Sequence, residues 1–319
     1  MVSFSKSAIP TKLHHRGDGV SAGDSIRHAP SMYPQPDHMK RILTAIVLIA
    51  LVIALVFFGK PWMITVCSAV VAGLAALEFR SLAAAGDSPV PLWWTLGSIA
   101  LFFLATFLRP QDTIVAVAFA TLVLFTWNAL RSPLNRVLSE TAAGLLMLVY
   151  IAYPLTLIPQ IWNTVNGTAL LLFLFLCVWS GDIAALYVGK NFGRSKLAPQ
   201  LSPNKTWAGA LASVAASVLF GMGLVLGGDW LAAHGSNFTK LHTTEPWWQF
   251  LLLAILLNVA AQFGDLLESA LKRGANVKDS GTLLPGHGGI LDRIDALLVA
   301  APVLWFVLVI REFFSPGSF

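Results

Sequence analysis

The chain has 319 residues, of which 56% are hydrophobic and 12% charged, against about 25% charged in an ordinary soluble domain. Its mean hydropathy is +0.72, and it carries 20 Phe and 11 Trp, which leaves too little polar material to coat a soluble surface. A soluble enzyme, a disulfide-stapled secreted scaffold and a disordered regulator all fit poorly. The net charge of +5 is scattered between apolar runs, so no nucleic-acid partner is expected.

The first 38 residues are polar, with Gly, Pro, Ser and His but no apolar periodicity. They are expected to form a poorly ordered extension. No basic stretch leads directly into a short apolar core with a cleavage site, so Lys40-Arg41 is expected to precede a retained first span. A membrane-spanning helix needs roughly 20 mostly apolar residues. On that measure the spans are 42–58, 62–77, 92–108, 113–130, 141–158, 169–188, 208–226, 247–264 and 294–310. The helical pattern of the eighth runs on to Arg273. The expected fold is all-α and polytopic, with about nine spans. It divides into an N-terminal transmembrane region over 39–140, a catalytic region over 141–311 and a short tail over 312–319. Cys67 and Cys177 both lie in apolar runs and are expected to be buried free thiols.

Lysines and arginines set the orientation. With a cytoplasmic N-terminus, all of the 21 except Lys60, Arg109, Lys240 and Arg311 fall on the cytoplasmic side. That is a strong positive-inside bias and places the C-terminus outside. His234 and His242, in a Gly/Ser/Thr-rich outer loop, read as surface residues.

The remaining charges gather in three places. Asp182 sits inside the sixth span, where a carboxylate must pair, bind an ion or line a cavity. The loop 189–207 carries Lys190, Arg194, Lys196 and Lys205, and its glycines and prolines forbid a long helix. Within it, Ser202, Lys205 and Thr206 can present hydroxyls and an ammonium to phosphate. The densest group runs from Gly264 to Asp295. There Asp265, Glu268 and Lys272 share one helix face, and Asp292 and Asp295 lie one turn apart at the start of the last helix. That start offers free N–H groups that favour anions. Carboxylates beside lysines and arginines are the parts of Mg²⁺-dependent phosphoryl or nucleotidyl transfer.

The stretch 269–295, SALKRGANVKDSGTLLPGHGGILDRID, resembles the signature of the bacterial phosphatidate cytidylyltransferases, or CDP-diglyceride synthases. The matching positions are Ser269, Lys272, Arg273, Lys278, Asp279, Pro285, Gly286, His287, Gly288, Gly289, Asp292, Arg293 and Asp295. The likeness extends to Asp265, Asp182 and the segment from Leu197 to Trp207. Two positions depart from it: Asn204 stands where many members have Gly, and Ala208 where many have Glu.

The resemblance implies a polytopic homodimer that makes CDP-diacylglycerol and pyrophosphate from CTP and phosphatidic acid. It implies Mg²⁺ at a paired-cation site on Asp265 and Asp292, with K⁺ admitted beside it. Asp265, Lys272, Asp292 and Asp295 are then the catalytic candidates. Lys205, Arg273, Lys278 and Arg293, with Ser202 and Thr206, are candidates for holding phosphates. His287 is expected to hydrogen-bond phosphate or backbone. Asp182, Glu268 and Asp279 are expected to fix lysines and waters. The expected location is the bacterial inner membrane, with the site facing the cytoplasm and lipids around it. Two alternatives are a cytidylyltransferase for another lipid phosphate and, from a different class, a membrane transporter.

Overall fold

The computed structural model describes residues 38–234, 239–243, 245–281 and 288–314. The chain begins with α1 (His38–Phe58), and Gly59-Lys60-Pro61 turns it into α2 (Pro61–Ala85). Pro61 at the start of α2 gives up no helical hydrogen bond. The other helices are α3 (Leu92–Leu108), α4 (Thr113–Arg131), α5 (Val137–Met147), α6 (Tyr153–Trp162), α7 (Gly167–Phe192), α8 (Trp207–Ala233), α9 (Trp247–Gly274) and α10 (Leu291–Phe314). Between α5 and α6, Leu148–Ala152 forms a π-helical turn, so the two join into one apolar stretch.

Among the described residues seven helical stretches are long and apolar enough to cross a membrane, and 46–58 and 92–108 are shorter apolar helices. Large apolar side chains such as Phe119, Leu122, Leu219 and Phe306 face outward. In lipid such a surface is stable, because each helix satisfies its own backbone. The protein is an all-α polytopic membrane protein.

Three boundaries differ from the sequence reading for physical reasons. Helix α2 runs past Leu77 to Ala85 although Glu78 and Arg80 interrupt its apolar run. Glu78 is buried with partners, and Arg80 Nε donates to Val90 O at 2.8 Å. Helix α7 continues through Lys190 to Phe192, so the basic loop is shorter than expected. Beyond α7 the chain folds into a small antiparallel hairpin rather than an irregular loop, β1 (Lys196–Ala198) pairing with β2 (Ser202–Thr206). Cys177 is buried as expected, but Cys67 faces outward from α2.

Helices α7 to α10 pack most closely on one another. Gly264 lets α9 and α10 touch backbone to backbone, since a Cβ there would lie 2.3 Å from Asp295 O. That contact brings the acidic stretch of α9 beside the first turns of α10.

Candidate active site

The site forms where α9 ends, α10 begins and the hairpin turns into α8. Lys205 on β2 reaches Asp265 on α9, with Nζ–Oδ2 at 2.6 Å. The hairpin is what brings them together: β2 runs straight into α8, and the Thr206 hydroxyl caps that helix by accepting from Gly209 N at 3.2 Å. Thr206 is buried, so its hydroxyl serves the helix cap. Ser202 lies at the other end of β2.

Lys272 lies between two carboxylates. It is ion-paired with Glu268, one turn earlier on α9, and donates to Asp292 Oδ1 on α10 at 2.6 Å. Asp292 takes three further donors on Oδ2: Ser280 N at 3.1 Å, Ser280 Oγ at 3.0 Å and Gly289 N at 2.9 Å. Glu268 is fully buried, and its Oε1 meets no hydrogen-bond donor among the described residues. Asp295 accepts from Ala296 N at 2.8 Å. Asp182, Asp265 and Asp295 lie within electrostatic reach of one another, and Lys205 and Arg293 also act on Asp182.

Other candidates sit apart from this core. Arg273 is exposed and donates to Val277 O at 3.1 Å, closing the end of α9. Lys278 and Asp279 are exposed on the following turn. Pro285, Gly286 and His287 lie outside the described residues.

Sequence reasoning missed Glu78. Its side chain, 4% exposed, reaches from α2 to the start of α10. Oε1 accepts from Ile290 N and Oε2 from Leu291 N, both at 2.9 Å, and Ser280 Oγ lies 3.0 Å from Oε2. Two of the N–H groups at the head of α10, expected to favour anions, are therefore taken by a carboxylate of the protein itself. Gly289 leaves room for it, because a Cβ there would lie 2.3 Å from Glu78 Oε2. The signal was present. Glu78 falls on the helix face of Ala75, Phe79 and Leu82, all buried. The rule that singled out Asp182, a carboxylate in an apolar span, applies equally to it.

The residues present suit a hard cation unevenly. Among the described residues no three His, Cys, Asp or Glu side chains group to hold a metal, but Mg²⁺ keeps several waters and needs only one or two carboxylates besides substrate phosphates. Asp265 is 41% exposed at its side chain and has Asp182 and Asp295 nearby. It fits that role. Asp292 has both oxygens filled by protein donors, so a cation there must displace Lys272.

Fold and site together define a polytopic membrane protein with lysine–carboxylate pairs, suited to phosphate oxygens, at one end of a helical bundle. The chain belongs to the cytidylyltransferase family, whose model matches residues 39–311. It is similar to a phosphatidate cytidylyltransferase of Brucella suis, with 44% identity over 164 residues, 51% of this chain and 55% of that relative. The match thus spans about half the length of the Brucella relatives. Other phosphatidate cytidylyltransferases match over nearly their whole length, among them the following two. The Synechocystis protein is 32% identical over 301 residues, 85% of this chain and 96% of its own. The Bacillus subtilis protein is 31% identical over 288 residues, 86% of this chain and 98% of its own.

Proposed function

We propose that this chain transfers the cytidylyl group of CTP to phosphatidic acid, giving CDP-diacylglycerol and pyrophosphate. The observation that carries the reading is Lys272, held between Glu268 and Asp292 beside the Asp265–Lys205 pair. Relatives of that name, matched over nearly their whole length, support it.

The reaction asks little covalent help of the protein. A phosphate oxygen of phosphatidic acid forms a bond to the α-phosphorus of CTP, the bond from that phosphorus to the β-phosphate bridging oxygen breaks, and pyrophosphate leaves with the electron pair. The nucleophile is already anionic at neutral pH, so positioning and charge neutralisation dominate. Lys205, Lys272 and Arg293 supply positive charge to phosphate oxygens. Glu78 and Ser280 hold Asp292, which in turn aims Lys272. Asp265 would hold Mg²⁺, with Asp182 and Asp295 beside it and Asp292 joining only by releasing Lys272. When bound, the ion neutralises CTP oxygens, and K⁺ is admitted at the same cluster.

The positive-inside bias supports a cytoplasmic N-terminus and favours a site on the cytoplasmic face of a bacterial inner membrane, where CTP is available. A homodimer embedded among lipids completes the proposal.

The test is turnover by purified protein in detergent micelles with phosphatidic acid, reading pyrophosphate and CDP-lipid together. Product that requires CTP, lipid and Mg²⁺ is the expected result. Product only with a different lipid phosphate moves the substrate, and CTP-independent flux in liposomes replaces the enzyme reading with transport.

A further inference from the structure

Tyr150 lies in the π turn between α5 and α6, and no part of the sequence signature includes it. Its side chain is buried at 9% exposure, and its hydroxyl has no hydrogen-bond partner among the described residues. A buried tyrosine ordinarily finds a partner for its hydroxyl. In a lipid-embedded bundle an unpaired one is costlier, because water does not substitute.

The position is specific. The π turn packs against α2, α3 and α10, and Glu78 joins the first of these to the last. The charges that act on the hydroxyl are Asp295, Glu268 and Asp265, all of the proposed site. Asp265 has Lys205 and Asp295 has Ala296 N, while Glu268 has Lys272 on one oxygen and no described donor, the Tyr150 hydroxyl included, on Oε1. Its chain neighbours Met147, Leu148 and Ile151 are all buried and apolar. Phenylalanine would fill such surroundings without leaving a polar atom unpaired. Single π turns inside α-helices are frequent at functional sites.

We infer that the Tyr150 hydroxyl donates a hydrogen bond to a phosphate oxygen of a substrate seated in this site. The inference rests on the cytidylyl-transfer reading. The chemistry recognised is a phosphate, which both substrates carry, the nucleotide and the lipid.

Tyr150→Phe separates a substrate contact from a packing role, because the two predict opposite signs. Removing an unpaired buried hydroxyl leaves the fold unchanged or more stable. The expected result is a thermal midpoint in detergent at or above wild type. Turnover per folded protein falls about ten- to a hundredfold, the value of one hydrogen bond to a charged group. A raised KM for CTP alone assigns the contact to the nucleotide, a raised KM for phosphatidic acid alone assigns it to the lipid, and a lower kcat with both KM values fixed assigns it to the transition state. Wild-type kcat and KM for both substrates overturn the inference. So does a lowered midpoint with activity lost only in proportion to folded protein. A wild type that makes no CTP-dependent product overturns the functional reading and this inference with it, whereas an active wild type with an equally active variant overturns this inference alone.

Discussion

Helix α9 carries two polar stretches that differ in how their hydrogen bonds are filled. In the middle, Asn258 Nδ2 donates to Ser213 Oγ at 2.8 Å and to Ser217 Oγ at 2.7 Å. Its carbonyl accepts from Gln262 Nε2 at 2.6 Å, Gln262 also reaches Ala210 O at 3.2 Å, and Ser217 Oγ donates to Cys177 O at 2.6 Å. Every member is neutral and the network closes on itself across α7, α8 and α9. Towards the end of the same helix, Asp265, Glu268 and Lys272 draw partners from the hairpin and from α10, and the set does not close. Glu268 Oε1 and the Tyr150 hydroxyl are left over among the described residues, and Asp265 is partly exposed. A closed neutral network is interhelical glue. An open charged one, in the same fold and on the same helix, is a place for something else to bind.

The largest effect that sharpens this contrast is at Lys272. Replacing it by Met strips the counter-charge from buried Glu268 and removes a cation from the proposed phosphate site. Turnover is expected to fall about a hundred- to a thousandfold, as when a preorganised electrostatic group is lost. Lys272→Arg should fail as well, because a planar fork does not fit a position where one ammonium meets two carboxylates on adjacent helices. An Arg variant at the wild-type rate would mean that positive charge alone suffices there.

A smaller effect is expected at Glu78. In Glu78→Gln the amide nitrogen faces Leu291 N or Ile290 N, two donors opposed, and one N–H at the head of α10 loses its acceptor. Leaving such a group unpaired costs about 1–3 kcal/mol, and the loss falls on Asp292 through their shared Ser280. About a tenfold drop in turnover is expected, with non-additivity in the double variant with Ser280→Ala. Glu140→Gln is the control. Glu140 is equally buried in the N-terminal half, but its partner is Ser132, between α4 and α5, and its loss should touch stability without touching turnover. Additive effects of Glu78→Gln and Ser280→Ala would separate Glu78 from the site.

These two glutamates also mark what was legible in the sequence. The apolar runs placed the helices because lipid requires long uninterrupted hydrophobic segments. The pairing of Glu268 with Lys272 followed from helical spacing, whereas the nearness of Asp292 to the carboxylates of α9 came only from the resemblance to the cytidylyltransferase signature. The pairing of Lys205 with Asp265 was not legible, because it depends on a hairpin whose strands are too short to announce themselves by alternation. Glu78 itself could have been singled out as a carboxylate on a buried helix face, but its partners were hidden by distance along the chain, Ile290 and Leu291 coming from the other end of the fold. Tyr150 was hidden because a π turn shifts the helical register without any marker in composition.

The smallest effect tests the closed side of the comparison. Ser217→Ala removes the hydroxyl that accepts from Asn258 and donates to Cys177 O. Asn258 keeps Ser213 for one of its two amide hydrogens while the other loses its acceptor, and the Cys177 carbonyl keeps its place in α7. Interhelical hydrogen bonds in membranes average about 0.6 kcal/mol, and a loss of that order should appear in denaturant unfolding from micelles. Ser213→Ala added to it leaves the Asn258 amide without either hydroxyl, so the pair should cost more than the sum of the singles. Turnover should be unchanged in Ser217→Ala. A variant that folds as wild type but turns over more slowly would place the middle of α9 in the reaction, and the distinction between closed and open networks on this helix would fail.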